Sequence, residues 1–127
     1  MKVALIGATG NAGSRVLNEL VSRGHSVTAI VRHPEKVAPH ERVKAVQTDG
    51  SEASLASAIK GHDAVVSSVR FVDLAPEVLV AAVKASGVKR YVVVGGAGSL
   101  LHPDGIEEAR RPDFPEPFRP NSLRGVE

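Results

Sequence analysis

The sequence feature that most limits what this chain can fold into is a glycine-rich loop near its N-terminus. An apolar run, Lys2–Ile6, leads directly into the loop GATGNAG at residues 7–13, and an amphipathic segment follows without a break. This order is typical of a strand that ends in a tight turn and opens into a helix. Gly7 permits the turn, Gly10 lets a phosphate come close to the backbone, and Gly13 lets the helix pack tightly on its strand.

The helix that follows begins with free N–H groups and the positive end of its dipole, which together favour an anion. A dinucleotide pyrophosphate fits such a site, whereas a mononucleotide P-loop lacks support because no Gly-Lys-Ser/Thr follows. The alternative is a purely structural turn. We predict that the whole loop binds the cofactor: Gly7, Ala8, Thr9, Gly10, Asn11, Ala12 and Gly13.

Further apolar segments at residues 25–31, 43–47, 63–69 and 90–96 predict four more strands. Helical patterns lie between them, one starting at a Ser51 N-cap and one covering about residues 76–86, while Pro34 starts only a short helical turn. Near-continuous apolar strands that alternate with helices predict a parallel sheet covered on both faces. We therefore expect an α/β three-layer fold with about five strands in the order 3-2-1-4-5.

The alternation stops after residue 100. Five of the eight prolines lie in the last 25 residues: Pro103, Pro112, Pro115, Pro117 and Pro120. We expect a nucleotide-binding domain over residues 1–100 and a proline-rich tail over residues 101–127 that is either a partly ordered lid or a disordered end.

Composition narrows the classes of function. Without cysteine the chain has no disulfide, thiolate metal site or cysteine nucleophile, which fits a cytoplasmic protein. The net charge of +2 comes with no basic cluster interleaved with aromatics, and no apolar stretch reaches about 18 residues, so we expect neither nucleic acid nor a membrane as partner. Scattered histidines and the absence of a His-Glu-x-x-His motif give no metal site.

The segments MKVALIGATGNAGSRV, TAIVRHPEKV, VQTDGSEASLASAIKGHDAVVSSV and VKRYVVVGGAGSL occur in this order. Together they resemble the NAD(P)H-binding, atypical short-chain dehydrogenase family, which includes NmrA-like proteins and the flavin/biliverdin reductase B type. The resemblance covers roughly the first hundred residues and implies an NAD(P)-binding Rossmann fold. Members usually continue well past the equivalent of residue 127, so it also implies a C-terminally shortened chain in which much of the substrate-covering region is missing.

The second strand ends without the acidic residue that normally binds the ribose of NAD. Arg32 stands there instead, and its planar guanidinium could pair with the 2′-phosphate of NADP; the alternative is an arginine exposed on a loop. The resemblance implies the phosphate role for Arg32 and places Asp49 and Gly50 near the adenine, whereas turn chemistry is the alternative for Asp49. We expect NADP(H) to be favoured over NAD(H).

Sites in open α/β sheets lie at the carboxyl ends of the strands, so Ser67, Ser68 and Val69, with Gly95 and Gly96, should line the nicotinamide and its ribose. The single tyrosine, Tyr91, lacks the Tyr-x-x-x-Lys partner of a short-chain dehydrogenase and is expected to be structural. Ser99 and His102 are the candidate proton donors; the resemblance favours Ser99, and a surface-loop residue without a catalytic role is the alternative for His102.

Two classes of function follow. The first is an oxidoreductase that transfers hydride from NADPH to a small conjugated or flavin-like acceptor, the cofactor carrying the chemistry. The second is a non-catalytic, NmrA-like NADP(H)-binding redox regulator, or a truncated inactive chain. An open sheet edge beyond the fifth strand would be covered by the tail or by a second copy in a homodimer.

Overall fold

A computed structural model describes residues 1–69, 74–94 and 110 of the chain. Its strands are β1 (Lys2–Ile6), β2 (Ser26–Val31), β3 (Val43–Gln47), β4 (Ala64–Ser67) and β5 (Tyr91–Val93). Its helices are α1 (Asn11–Ser22), α2 (Glu52–Ile59) and α3 (Pro76–Ser86), and a 3₁₀ turn at Pro34–Lys36 joins β2 to β3. The sheet lies in a compact unit formed by Met1–Val69 and Glu77–Val94.

The five strands form one parallel sheet in the order β3-β2-β1-β4-β5. The predicted α/β class and the predicted strand order are therefore confirmed. β1 lies in the middle, paired with β2 on one side and β4 on the other, and Val3 to Ile6 are almost completely buried. Burial of a large aliphatic side chain contributes about 1.5–3 kcal/mol, so this central strand is a main source of stability.

Three expected strand limits were too generous. β4 covers Ala64–Ser67 rather than residues 63–69, because its partner β1 ends at Ile6 and Gly7 then turns away. β5 covers Tyr91–Val93, the residues that pair with Val65, Val66 and Ser67, rather than residues 90–96. β2 starts at Ser26, opposite Lys2, rather than at residue 25.

The two faces of the sheet are covered by different helices. On one face, Leu17 of α1 packs with Leu5 and with Val27, Ala29 and Val31 of β2. The chain reverses direction across the sheet after β3, so right-handed connections place α2 and α3 on the opposite face. There α2 buries Leu55 and Ile59, and α3 buries Leu79, Ala82 and Val83.

The edge strands are less well covered than the centre. Only the short 3₁₀ turn joins β2 to β3, and no residue of β3 is fully buried. On β5, Val92 and Val93 remain 57% and 45% exposed. The stable core of the described fold is therefore β1 with its two neighbours, while β3 and β5 contribute less burial.

Candidate functional site

Gly7 begins the loop at the carboxyl end of β1 in a conformation that suits only glycine. Its φ is +86°, and a Cβ placed there would overlap the carbonyl oxygen of Ser68 and lie 2.8 Å from Cγ1 of Val69. Its N–H donates to the carbonyl of Ile30 at 3.2 Å. The chain therefore turns in contact with both neighbouring strands, and a side chain at Gly7 would push β4 away.

The other two glycines of the loop differ from each other. A Cβ on Gly13 would overlap the carbonyl oxygen of Gly7, so the first turn of α1 packs directly on the turn that ends β1. A Cβ on Gly10 would meet nothing closer than 3.5 Å, and the backbone there has an ordinary φ of −72°. The fold thus requires glycine at Gly7 and Gly13, whereas nothing in the described residues requires it at Gly10.

The N-terminus of α1 has no anionic side chain bound to it among the residues that the structure describes. Its N-cap is Gly10, no side chain caps the helix, and its first turn contains no acidic residue. α2 is different, because the hydroxyl of Ser51 accepts the N–H of Ser54 at 3.2 Å and Glu52 lies in the first turn. The exposed start of α1 therefore keeps N–H donors and the positive dipole end available to an anion.

Arg32 lies immediately after β2, at the same edge of the sheet as the loop. It is exposed, and its guanidinium has no carboxylate partner among the residues that the structure describes. The side-chain amide of Gln47, the last residue of β3, lies 3.5 Å from the backbone carbonyl oxygen of Arg32. The arginine is thus anchored through its backbone while its charged group stays in solvent.

The turn after β3 is fixed by its own side chains. Asp49 accepts the N–H of Ser51 at 2.9 Å, and the hydrogen bonds from Ser51 hold the pKa of this exposed carboxyl below its ordinary value. The nearly buried hydroxyl of Thr48 accepts the N–H of Gly50 at 3.1 Å and lies 3.1 Å from the hydroxyl of Ser54. Asp49 therefore stabilises the turn through this hydrogen bond. The sequence did not predict the contacts of Thr48 and Ser54.

The end of β4 reaches the loop through its backbone. The N–H of Ser68 donates to the carbonyl of Ile6 at 2.9 Å, and the Ser68 carbonyl lies against Gly7. Ser67 is only 1% exposed, and its hydroxyl lies 2.8 Å from the hydroxyl of Tyr91. Ser68 and Val69 thus flank the loop, whereas the side chain of Ser67 is engaged inside the fold.

The contact between Tyr91 and Ser67 joins β5 to β4 and was not apparent from the sequence. Val65 is the register partner of Tyr91, so the phenol lies on the same face as Ser67, two residues further along β4. Burial raises the pKa of Tyr91 above its ordinary value of 10.0, while the hydrogen bond with Ser67 acts in the opposite direction. The neutral phenol is therefore the form that the fold favours.

We expect Tyr91→Phe to lower the free energy of unfolding by about 1–2 kcal/mol, because it leaves the buried hydroxyl of Ser67 without this partner. Since the folded protein binds the phenolic proton more tightly, the contribution of Tyr91 is present below pH 10.0 and is lost as the pH rises above it. Urea unfolding at neutral and alkaline pH measures both effects. Ser67→Ala and the double variant complete a cycle, and additive losses would contradict a direct bond.

The remaining predicted site residues, Gly95, Gly96 and Ser99, lie outside the described residues, as does the tail over residues 101–127 apart from residue 110. Within residues 1–69, 74–94 and 110, no three histidine or acidic side chains converge as metal ligands. No helix in this part of the chain is both long and apolar enough to cross a bilayer. The loop, Arg32, Asp49, Gly50, Ser68 and Val69 all follow strands at the same edge of the sheet.

The chain is similar to known proteins over most of its length. Residues 7–120 match the family described as NAD(P)H-binding. The Bacillus subtilis protein YwnB is 36% identical in an alignment of 135 positions that covers 96% of this chain and 61% of YwnB.

Two solved structures are also similar. A candidate epimerase of Bacteroides thetaiotaomicron has a TM-score of 0.90 and 37% identity, covering 99% of this chain and 61% of its own. A candidate NADH-flavin reductase of Streptococcus pneumoniae has a TM-score of 0.74 and 31% identity, covering 99% of this chain and 62% of its own. The chain therefore spans about three fifths of the length of these relatives.

Proposed function

The chain belongs to the NAD(P)H-binding family, and from this premise we propose that it binds NADP(H) and transfers hydride from NADPH to a small conjugated or flavin-like acceptor. Two observations together carry the proposal. The space next to Gly10 is open, and no side chain caps the start of α1. Glycine at this position is not needed by the described fold. A pyrophosphate that approaches the backbone closely supplies the reason for it.

The preference for NADP(H) rests on Arg32. No acidic residue ends β2, and the guanidinium of Arg32 is exposed and unpaired within the described part of the chain. The oxygens of a 2′-phosphate can accept hydrogen bonds from two N–H groups of one guanidinium at the same time. A ribose hydroxyl has one oxygen and cannot form this paired contact. In the proposed complex the adenosine end lies over the ends of β2 and β3, next to Asp49 and Gly50.

Bound NADPH would supply the hydride. The chain would hold the nicotinamide next to the acceptor and would deliver a proton. Ser68 and Val69 lie against the loop at Gly7 and would border the nicotinamide ribose. Reduction of a flavin-like acceptor takes one hydride and one proton, and Ser99 is our candidate for the group that delivers the proton. The candidate NADH-flavin reductase among the similar structures supports this class of acceptor.

A non-catalytic redox sensor is the second candidate. The single tyrosine, Tyr91, is hydrogen-bonded to Ser67. Four residues after Tyr91, where a short-chain dehydrogenase would have lysine, this chain has Gly95. The tyrosine–lysine pair of the common short-chain dehydrogenases is therefore absent. A protein that binds NADP(H) and distinguishes its redox states without turnover would have the same cofactor site.

The test is a titration of the 127-residue protein with NADPH and with NADH, followed by nicotinamide fluorescence, and then an assay of NADPH oxidation with FMN. We expect NADPH to bind at least about tenfold more tightly than NADH, since a charge-assisted hydrogen bond contributes about 1.5–3 kcal/mol. Turnover with FMN supports the reductase. Tight binding without turnover favours the sensor, and a folded protein that binds neither nucleotide contradicts both.

A further inference from the structure

A cavity lies at the opposite end of the strands from the glycine loop, among the amino ends of β1, β2 and β3. It has a volume of about 460 Å³ and is lined by Lys2, Ser26, Val27, Thr28, Glu41, Arg42, Val43, Lys44, Lys60, Gly61 and His62. We call it the basal groove. None of its residues belongs to the proposed cofactor site, so its function does not depend on that proposal.

The strand register explains why lysines converge there. Lys2 lies beside Ser26 and Thr28 beside Lys44, so these side chains share the face of the sheet that α2 covers. α2 ends at Ile59, however, and the chain turns at Gly61 with a φ of +87°. Because α2 is short, it leaves this face of the sheet open at the amino ends of the strands.

The floor of the groove is held by His62. Its Nδ1 lies 2.7 Å from the carbonyl oxygen of Ile59 and therefore donates to it, and its Nε2 lies 2.8 Å from the hydroxyl of Thr28. The ring thus ties the end of α2 to β2. The groove has a fixed, partly buried floor beneath exposed cationic side chains.

The lining carries a clear excess of positive charge. It includes four cations and one carboxylate, Glu41, and none of the four cations forms an ion pair with a carboxylate in the part of the chain that is described. Asp63, close by, accepts the backbone N–H of Lys2 at 2.8 Å. Even when Asp63 is counted, two positive charges remain in excess, and a concave surface of one sign concentrates the potential that attracts an anion.

Solvated surface lysines are the simpler explanation, and Lys60 would also stabilise the carboxyl end of α2. That explanation accounts for one residue at a helix end, but not for three further cations, from the starts of two strands, around the same cavity: Lys2, Arg42 and Lys44. We propose that the basal groove binds a compact phosphate-bearing anion with several negative charges. An arginine fork and several lysine ammonium groups suit phosphate oxygens, and the lining contains no aromatic side chain on which a nucleic-acid base could stack.

The probe for the test is inorganic tripolyphosphate, titrated into the full chain by calorimetry and by amide NMR. We expect the amide resonances of Gly61 and His62 to shift on binding. Shifts confined to the loop at residues 10–14 would show that the anion binds only at the start of α1 and would overturn the proposal, as would the absence of binding.

Charge reversal provides the matched comparison. Lys44→Glu with Lys60→Glu should weaken the binding measured at the groove about tenfold or more, because two favourable ionic contacts become unfavourable. The control pair, Lys84→Glu with Lys89→Glu, makes the same charge change at exposed residues and likewise includes a lysine near a helix end. It should change the affinity by no more than about twofold.

Equal weakening in the two pairs would reduce the effect to net charge and overturn the proposal. Thermal unfolding of every variant checks the fold. If the groove pair fails to fold, Lys44→Gln with Lys60→Gln replaces it, since this pair only removes the charges. That variant must still lose affinity at Gly61 and His62, and unchanged affinity would overturn the proposal.

Discussion

Replacing Gly7 with alanine is expected to lower the free energy of unfolding by about 3–5 kcal/mol, a large part of the stability of an ordinary domain. The left-handed backbone conformation alone costs a non-glycine residue about 1–2 kcal/mol. The new Cβ would also overlap the backbone carbonyl of Ser68, which can move only if β4 moves with it. Urea unfolding followed by circular dichroism measures the loss.

Gly10→Ala is the matched variant and is expected to have a different effect. Its Cβ meets only ordinary van der Waals neighbours at 3.5 Å and 4.0 Å, so the free energy of unfolding should fall by no more than about 1 kcal/mol. The methyl group would occupy the space that we assign to the pyrophosphate. We therefore expect a folded protein with NADPH affinity reduced by about 30-fold or more, equivalent to about 2 kcal/mol.

The comparison separates structure from binding within a single loop. A Gly10→Ala protein that binds NADPH as tightly as the wild type would show that no phosphate approaches this residue. A Gly7→Ala protein of unchanged stability would contradict the packing described for β1 and β4. Both substitutions add one methyl group. A difference between the two variants in stability or affinity therefore reflects the surroundings of the two positions and not the size of the added group.

Arg32→Ala is expected to weaken NADPH binding by about 10- to 100-fold while changing NADH binding by no more than about twofold. The 2′-phosphate distinguishes the two cofactors, and Arg32 is an exposed cation at the end of β2 that has no ion-pair partner among the described residues. Because the arginine is exposed, the difference should shrink as the salt concentration rises. Fluorescence titrations at low and high salt measure it.

Arg23→Ala is the control for this prediction. Arg23 is also exposed but lies at the far end of α1, where it pairs with Glu19 at 2.8 Å. Its removal should leave both affinities unchanged. Equal losses for NADPH and NADH in Arg32→Ala, or no loss for either, would refute the assignment of NADP preference to this residue.

The sequence predicted the strand order because apolar strands that alternate with helices admit few right-handed parallel arrangements. It did not predict where β4 and β5 end, since a strand ends where its partner leaves it, and β1 leaves β4 at Gly7. Side-chain partners across the sheet were equally out of reach. The bond between His62 and Thr28 joins residues 34 positions apart, and hydrophobic periodicity assigns a face without assigning a partner.

For the candidate site, the motif predicted the loop, the turn at Gly7 and the close packing at Gly13, but not the atoms that require glycine at these two positions. That requirement depends on the contact of Gly7 with Ser68 and of Gly13 with Gly7, which arise only when β1, β4 and α1 are assembled. The turn at Asp49 shows a related limit. Its hydrogen bond to Ser51 follows from local sequence, whereas any contact with adenine depends on the ligand.

The arrangement of the strands also ranks the two halves of the proposed cofactor site by how readily they open. The loop starts from β1, which is hydrogen-bonded along both sides, so local unfolding that releases an edge strand leaves the loop in place. Asp49 and Gly50 follow β3, which in the described sheet is an edge strand paired with β2 alone. The pyrophosphate end would therefore be held by the last part of the protein to lose its structure, and the adenine end by one of the first.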